Sequence, residues 1–238
     1  MKRMKLTNAG FKKRFNRIKK MYSDIETKHN VNNLHVKLQP GNTKTGKLCY
    51  TVSLLPIFDC TNCDKCHKDC YDFAHDLVFN SVTLDRIKNS LIHLDNPERY
   101  WNEISIQIKA NYIQALRINV GGDLKYEDFI FLNKVAEENP KCQFLFFTKT
   151  YDGINRFLDE YGNFCDNVHP IMSTWKDLEM SNPHKLPTSH VLFEDGSTTA
   201  PKYGAVYCQG NCSKCLYDDD TKGCWDLKNG ESVIFPVH

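Results

Sequence analysis

The stretch QALRINVGGDLKYEDFIFLNKVAEENPKCQFLFFTKT, residues 114–150, decides the fold. Its first seven residues, QALRINV (114–120), read as a strand that ends at Gly121-Gly122-Asp123. KYEDFIFLNKVAEENP (125–140) follows with the spacing of a helix and is stopped by Pro140. CQFLFFTKT (142–150) is almost continuously apolar, as a strand buried on both faces should be. Working outward, residues 151–161 predict another helix and VHPIMST (168–174) another strand. Upstream, LCYTVSLLPIF (48–58) is a β-leaning apolar run, and residues 76–94 and 96–111 read as helices. Strands alternating with helices predict an α/β protein with parallel strands, either a partial (β/α) barrel or an open parallel sheet.

In such sheets function gathers at the carboxyl ends of the strands. Here those ends carry Gly121-Gly122-Asp123, Thr148-Lys149 and Ser173-Thr174. Any one of them reads as a plain turn or helix cap, with glycine for positive φ and Asp123 or Ser173 for backbone donors. Their coincidence on one face points to a site.

The chain has 238 residues, 41% of them hydrophobic, enough for one large domain or two small ones. Net charge is +2, unevenly placed: residues 1–20 hold nine Lys/Arg and no acid, so the remainder carries +2 − 9 = −7. That basic tract lacks the apolar core of a secretory signal. No stretch approaches the roughly 18 apolar residues of a membrane span. A cytoplasmic protein without membrane contact is expected. Phe11, Phe15, Ile18 and Tyr22 fall on one face of a helix whose other face is basic. The apolar face packs on the body in the simplest reading, leaving the charges solvated. The alternative is an electrostatic footprint for nucleic acid or an acidic partner. Residues 29–48 read as a loop or edge hairpin.

Eleven cysteines are many for a reducing compartment, where clustered thiols point to metal or catalysis rather than disulfides. Cys60, Cys63, Cys66 and Cys70 lie in LPIFDCTNCDKCHKDCYDFA (55–74), directly after the first apolar run. Cys208, Cys212, Cys215 and Cys224 form a second group, YCQGNCSKCLYDDDTKGCW. Cys49, Cys142 and Cys165 stand alone and read as small buried hydrophobes. Thiolates at short spacing suit Zn²⁺ and iron–sulfur clusters alike. The first group has the C-x2-C-x2-C-x3-C run of bacterial ferredoxins, which favours a [4Fe–4S] cluster over zinc. A ferredoxin itself is disfavoured, because a second run is absent and Tyr71 replaces the usual proline. At the second group iron–sulfur and zinc are closer rivals, and His238 or a nearby acid could replace one thiolate.

Three segments together resemble the bacteriophage gene product 88 family: CDKCHKDCYDFAH; the run from LRINVGGD to FLFFTKT; and the terminal YCQGNCSKC…GCW…VIFPVH. The match runs in order over roughly residues 48–238. That family is in turn similar to small radical SAM enzymes. The resemblance implies a radical-SAM-like core over 48–200 and a cysteine-rich metal-binding extension over 201–238; the basic helix and loop over 1–47 lie outside it. It implies a [4Fe–4S] cluster after the first strand and S-adenosylmethionine bound beside it. Asp123 would hold the methionine amine, Gly121 and Gly122 would allow close approach, and Lys149 and Ser173 would reach the carboxylate or ribose. The pattern departs at Phe73, which stands where the third cysteine of C-x3-C-x2-C belongs. Either three of Cys60, Cys63, Cys66 and Cys70 bind in another order, or all four bind and no iron is open. The expected function is an iron–sulfur protein, with radical chemistry on nucleic acid or a small molecule if an iron is open. The rival is a metal-stabilised binding module for nucleic acid or a host protein, such as a phage-encoded inhibitor.

Overall fold

Along the strands 114–120 and 142–150 successive side chains point to two unlike faces of the sheet. In the computed structural model, which describes residues 7–43, 45–70, 72–73, 80–218 and 220–236, these segments become β2 (Ala115–Ile118) and β3 (Gln143–Thr148). They pair in parallel with Leu116 opposite Phe144 and Ile118 opposite Phe146. Flanking them are β1 (Tyr50–Val52), β4 (Val168–Ser173), β5 (Thr188–Leu192), β6 (Ala205–Tyr207) and β7 (Ser232–Pro236). The order across the sheet is β1-β2-β3-β4-β5-β7-β6, with every neighbouring pair parallel. β1 and β6 are the two edges, so the architecture is the open parallel sheet of the two that were expected.

The helices among the described residues are α1 (Asn8–Lys28), α2 (Cys63–Cys66), α3 (Asn80–Asp95), α4 (Pro97–Asn111), α5 (Tyr126–Glu138), α6 (Tyr151–Tyr161) and α7 (Cys212–Tyr217). α3 and α4 lie between β1 and β2, α5 between β2 and β3, and α6 between β3 and β4. α5 ends at Asn139 before Pro140, which cannot continue a helix. Residues 76–79 of the predicted helix 76–94 lie outside the described residues, as do residues 1–6, Tyr71 and His238.

One sheet face is the main core. Leu116, Ile118, Phe144, Phe146 and Met172 pack there against Ile104, Phe129, Ile154 and Phe157 of the helices. Beneath it Asp128 Oδ1 accepts from the Trp101 indole at 2.8 Å and contacts His93 Nε2 at 2.6 Å, and Oδ2 accepts from Lys125 N–H at 2.8 Å, so both oxygens of this buried carboxylate are engaged. Ala115, Leu145 and Ile171 point to the opposite face, where they meet Cys49, Cys215 and Trp225. The near-continuous apolar character of β3 thus has its cause: alternate residues serve two different cores.

α1 packs as its pattern predicts. Ile18 and Ile25 are buried, and Phe11, Phe15 and Tyr22 lie against the main core. Its apolar face covers the first cysteine loop: Phe15 stacks on Phe58 at 4.8 Å, and Phe11 lies 5.0 Å from Phe73. Arg14 donates to the Phe73 carbonyl at 2.9 Å.

The sequence reading did not foresee β5, β6 and β7. The carboxyl-terminal residues form more of the sheet than expected, because β7 inserts between β5 and β6. Each is five residues or fewer, too short for a periodic signal.

Candidate metal and ligand site

The second sheet face opens on a cavity of about 590 Å³. At the carboxyl ends of the strands the first cysteine loop forms one wall. Cys60, Cys66 and Cys70 line the cavity; Cys63 does not. The loop starts with two strained residues, Ile57 at φ 74° and Asn62 at φ 57°, the first costly for a β-branched side chain. Two backbone donors point toward sulfur. Ile57 N–H donates to Cys60 Sγ at 3.3 Å, and Phe73 N–H donates to Cys70 Sγ at 3.4 Å.

Asp123 lies at the same end, 6% exposed. Its Oδ1 accepts from Leu124 N–H (2.8 Å) and Thr148 Oγ1 (2.6 Å), and its Oδ2 from Lys149 N–H (2.9 Å). With two acceptor sites per oxygen, one site on Oδ2 is left. Burial pushes the Asp123 carboxyl up to about 6, against the pull of these hydrogen bonds and of Lys149. Burial also raises the thiols of Cys60, Cys66 and Cys70; the Asp123 charge adds to the rise at Cys60, and Lys149 opposes it at Cys66. Lys149 Nζ sits 5.9 Å above the Trp175 ring. Ser173 receives the Ser189 hydroxyl at 3.2 Å and lines the cavity with Lys149.

The two glycines accommodate the protein's own atoms. A Cβ on Gly121 would meet Asp72 Oδ2 at 2.1 Å, and one on Gly122, where φ is +81°, would meet Leu54 Cβ at 2.6 Å. Asp72 is held there by a bidentate pair with Arg86 at 2.8 and 2.9 Å.

The second cysteine group lies on the segment between β6 and β7 and also reaches the cavity. Cys208, Cys212, Cys215 and Cys224 all line it. Gly210 N–H donates to Cys208 Sγ at 3.4 Å, and Arg117 Nη1 approaches Cys212 Sγ at 3.8 Å. Gly223 leaves no room for a side chain, since a Cβ would stand 2.8 Å from Cys215 Sγ. Cys49, read from sequence as a buried hydrophobe, is indeed fully buried, yet its thiol also hydrogen-bonds to Cys212. That contact and the neighbouring Arg117 hold Cys212 below the ordinary thiol range; the same contact, with burial, holds Cys49 above it against the pull of Arg117. Only the fold could reveal this pairing, since 162 residues separate the two in sequence (212 − 49 − 1). Cys142 is buried and Cys165 half-buried, without a part in either group.

Donor type therefore fits a thiophilic metal: two sets of thiols, with amide N–H groups aimed at three sulfurs and a guanidinium at a fourth. Among the described residues no three His, Cys, Asp or Glu side chains are gathered into a ligating constellation. Also among them, no helix is long and apolar enough to cross a membrane.

Fold and site together define an α/β protein with an open parallel sheet and a cavity walled by two groups of cysteines. The chain belongs to the Gene product 88 family, whose model matches residues 16–224. No curated protein and no solved structure matched the chain.

Proposed function

We propose that this protein carries an iron–sulfur cluster on Cys60, Cys66 and Cys70 and binds S-adenosylmethionine beside it, on a scaffold related to that of radical SAM enzymes. The observation that supports this reading is the division within the first cysteine loop. Three thiols open on one cavity, near a buried carboxylate, while Cys63 does not. A three-thiolate site would leave a cluster iron free for an outside ligand despite the departure at Phe73. When bound, such a cluster supplies an electron for breaking a sulfonium carbon–sulfur bond. The chain's own residues do the rest. The remaining acceptor site on Asp123 Oδ2 takes an ammonium group, Lys149 offers its charge to a carboxylate, and Trp175 limits water at the mouth. The second group, Cys208, Cys212, Cys215 and Cys224, holds an auxiliary cluster or zinc at the same cavity.

Single alanine variants test the assignment. After anaerobic reconstitution, C60A, C66A and C70A lose iron from the first site, whereas C63A retains it and still cleaves S-adenosylmethionine with dithionite. Equal loss in all four variants would show a closed four-thiolate site and remove the case for S-adenosylmethionine.

A second reading, a metal-stabilised module that binds nucleic acid, is favoured by the outer face of α1. Lys12, Lys13, Arg17, Lys19 and Lys20 are exposed there, opposite the residues that hold the helix on the body. The two readings are compatible, since an enzyme acting on nucleic acid needs both a pocket and a charged approach.

A further inference from the structure

Asn119 stands at the carboxyl end of β2, and its backbone N–H bonds to the Val52 carbonyl at 2.8 Å. Its φ is +51°, a left-handed conformation that asparagine tolerates and glycine adopts freely. Conformation alone therefore does not require a side chain here. Yet Asn119 lines the cavity, is 4% exposed, and both its Oδ1 and its Nδ2 lack a hydrogen-bond partner among the described residues. A buried carboxamide with nothing to bind destabilises the fold. Such a group is retained where a ligand completes it. Two residues earlier, Arg117 also lines the cavity. Its guanidinium lies 5.1 Å over the Phe147 ring and touches Cys212 Sγ. Asn119 thus shares the cavity with both cysteine groups and with the stacked guanidinium and phenyl of Arg117 and Phe147.

We propose that Asn119 reads the edge of an adenine base bound in the middle of this cavity. A carboxamide presents one acceptor beside one donor, the complement of adenine N6–H and N7, and asparagine meets adenine in this bidentate way. The Arg117–Phe147 platform suits the flat face of a base. The proposal rests on the reading of this cavity as a ligand site, but not on iron. Two sources carry an adenine: S-adenosylmethionine itself, or an adenine nucleotide acted on as substrate.

The test is equilibrium binding of 5′-AMP, 5′-IMP and S-adenosylmethionine to the full chain, followed by intrinsic tryptophan fluorescence or calorimetry. IMP replaces the N6 donor by an oxygen. The wild type should bind AMP about 10- to 100-fold more tightly than IMP, the range of one bidentate contact. Asn119→Gly, which suits the positive φ and removes the amide, should abolish that preference while leaving the urea midpoint unchanged or higher. If Asn119→Gly also weakens S-adenosylmethionine to the same extent, the base belongs to the cofactor; if only AMP weakens, it belongs to the substrate. Equal affinity of the wild type for AMP and IMP, no binding of any of the three, or a preference surviving in Asn119→Gly would overturn the proposal. The wild-type comparison needs no variant to fold. Iron and sulfide content, measured in parallel, separates this failure from failure of the cluster assignment.

Discussion

Asp123 concentrates the physics of the site in one side chain. It is buried, accepts three hydrogen bonds, and titrates near 6 rather than at its ordinary 3.8. A carboxyl raised on folding is favoured in its protonated form, so its contribution to stability is fully present below the unfolded value and lost as pH rises through the folded one. The metal-free wild type should therefore gain stability relative to D123N as pH falls from about 7.5 to about 4.5, because asparagine has no proton to take up in that window. Urea midpoints of the two proteins measure this. A difference that stays constant across the window would show that the carboxyl is not held in its raised state. The glycines beside it carry a related lesson. The GGD signal marked a strand end from sequence, but not that Gly121 yields its space to Asp72 or that Gly122 yields to Leu54. Those contacts join residues 49 and 68 positions apart (121 − 72 and 122 − 54), and no local pattern encodes them.

At the scale of elements, α1 matters through what it covers. Its aromatic face holds the first cysteine loop by Phe11, Phe15 and Tyr22 against Phe58 and Phe73. Phe15→Ala should lower unfolding stability by about 2 kcal/mol, less than a fully buried phenylalanine because Phe15 is half-exposed. It should also raise proteolysis within residues 55–70. Unchanged cleavage in that loop would mean that α1 does not hold it. This helix was legible in advance because Phe11, Phe15, Ile18 and Tyr22 keep a helical period. The strands β2, β3 and β4 and the helices α5 and α6 were legible for the same reason: their apolar runs are long enough to show a period. β5, β6 and β7 were not, being short and set among polar loops. Their place in the sheet depends on pairing with distant strands. Cys49 shows the same limit within the site. Its burial was readable from its type, and its contact with Cys212 was not.

The whole molecule separates charge from chemistry. The two cysteine groups and the carboxylate Asp123 share one cavity, and the exposed Lys12, Lys13, Arg17, Lys19 and Lys20 lie on the outer side of the amino-terminal helix. If that helix guides nucleic acid, affinity for single- or double-stranded oligonucleotides should fall steeply with salt, and deletion of residues 1–20 should flatten the slope by several charges. Affinity indifferent to the deletion would confine the protein to small ligands. The central claim, an iron–sulfur cluster on the first cysteine loop, is tested most directly by iron, zinc and acid-labile sulfide analysis of protein purified and reconstituted without oxygen. Iron and sulfide in matching amounts, with broad visible absorption that C60A, C66A and C70A weaken, is the result expected. Colourless protein holding stoichiometric zinc and no sulfide would contradict it.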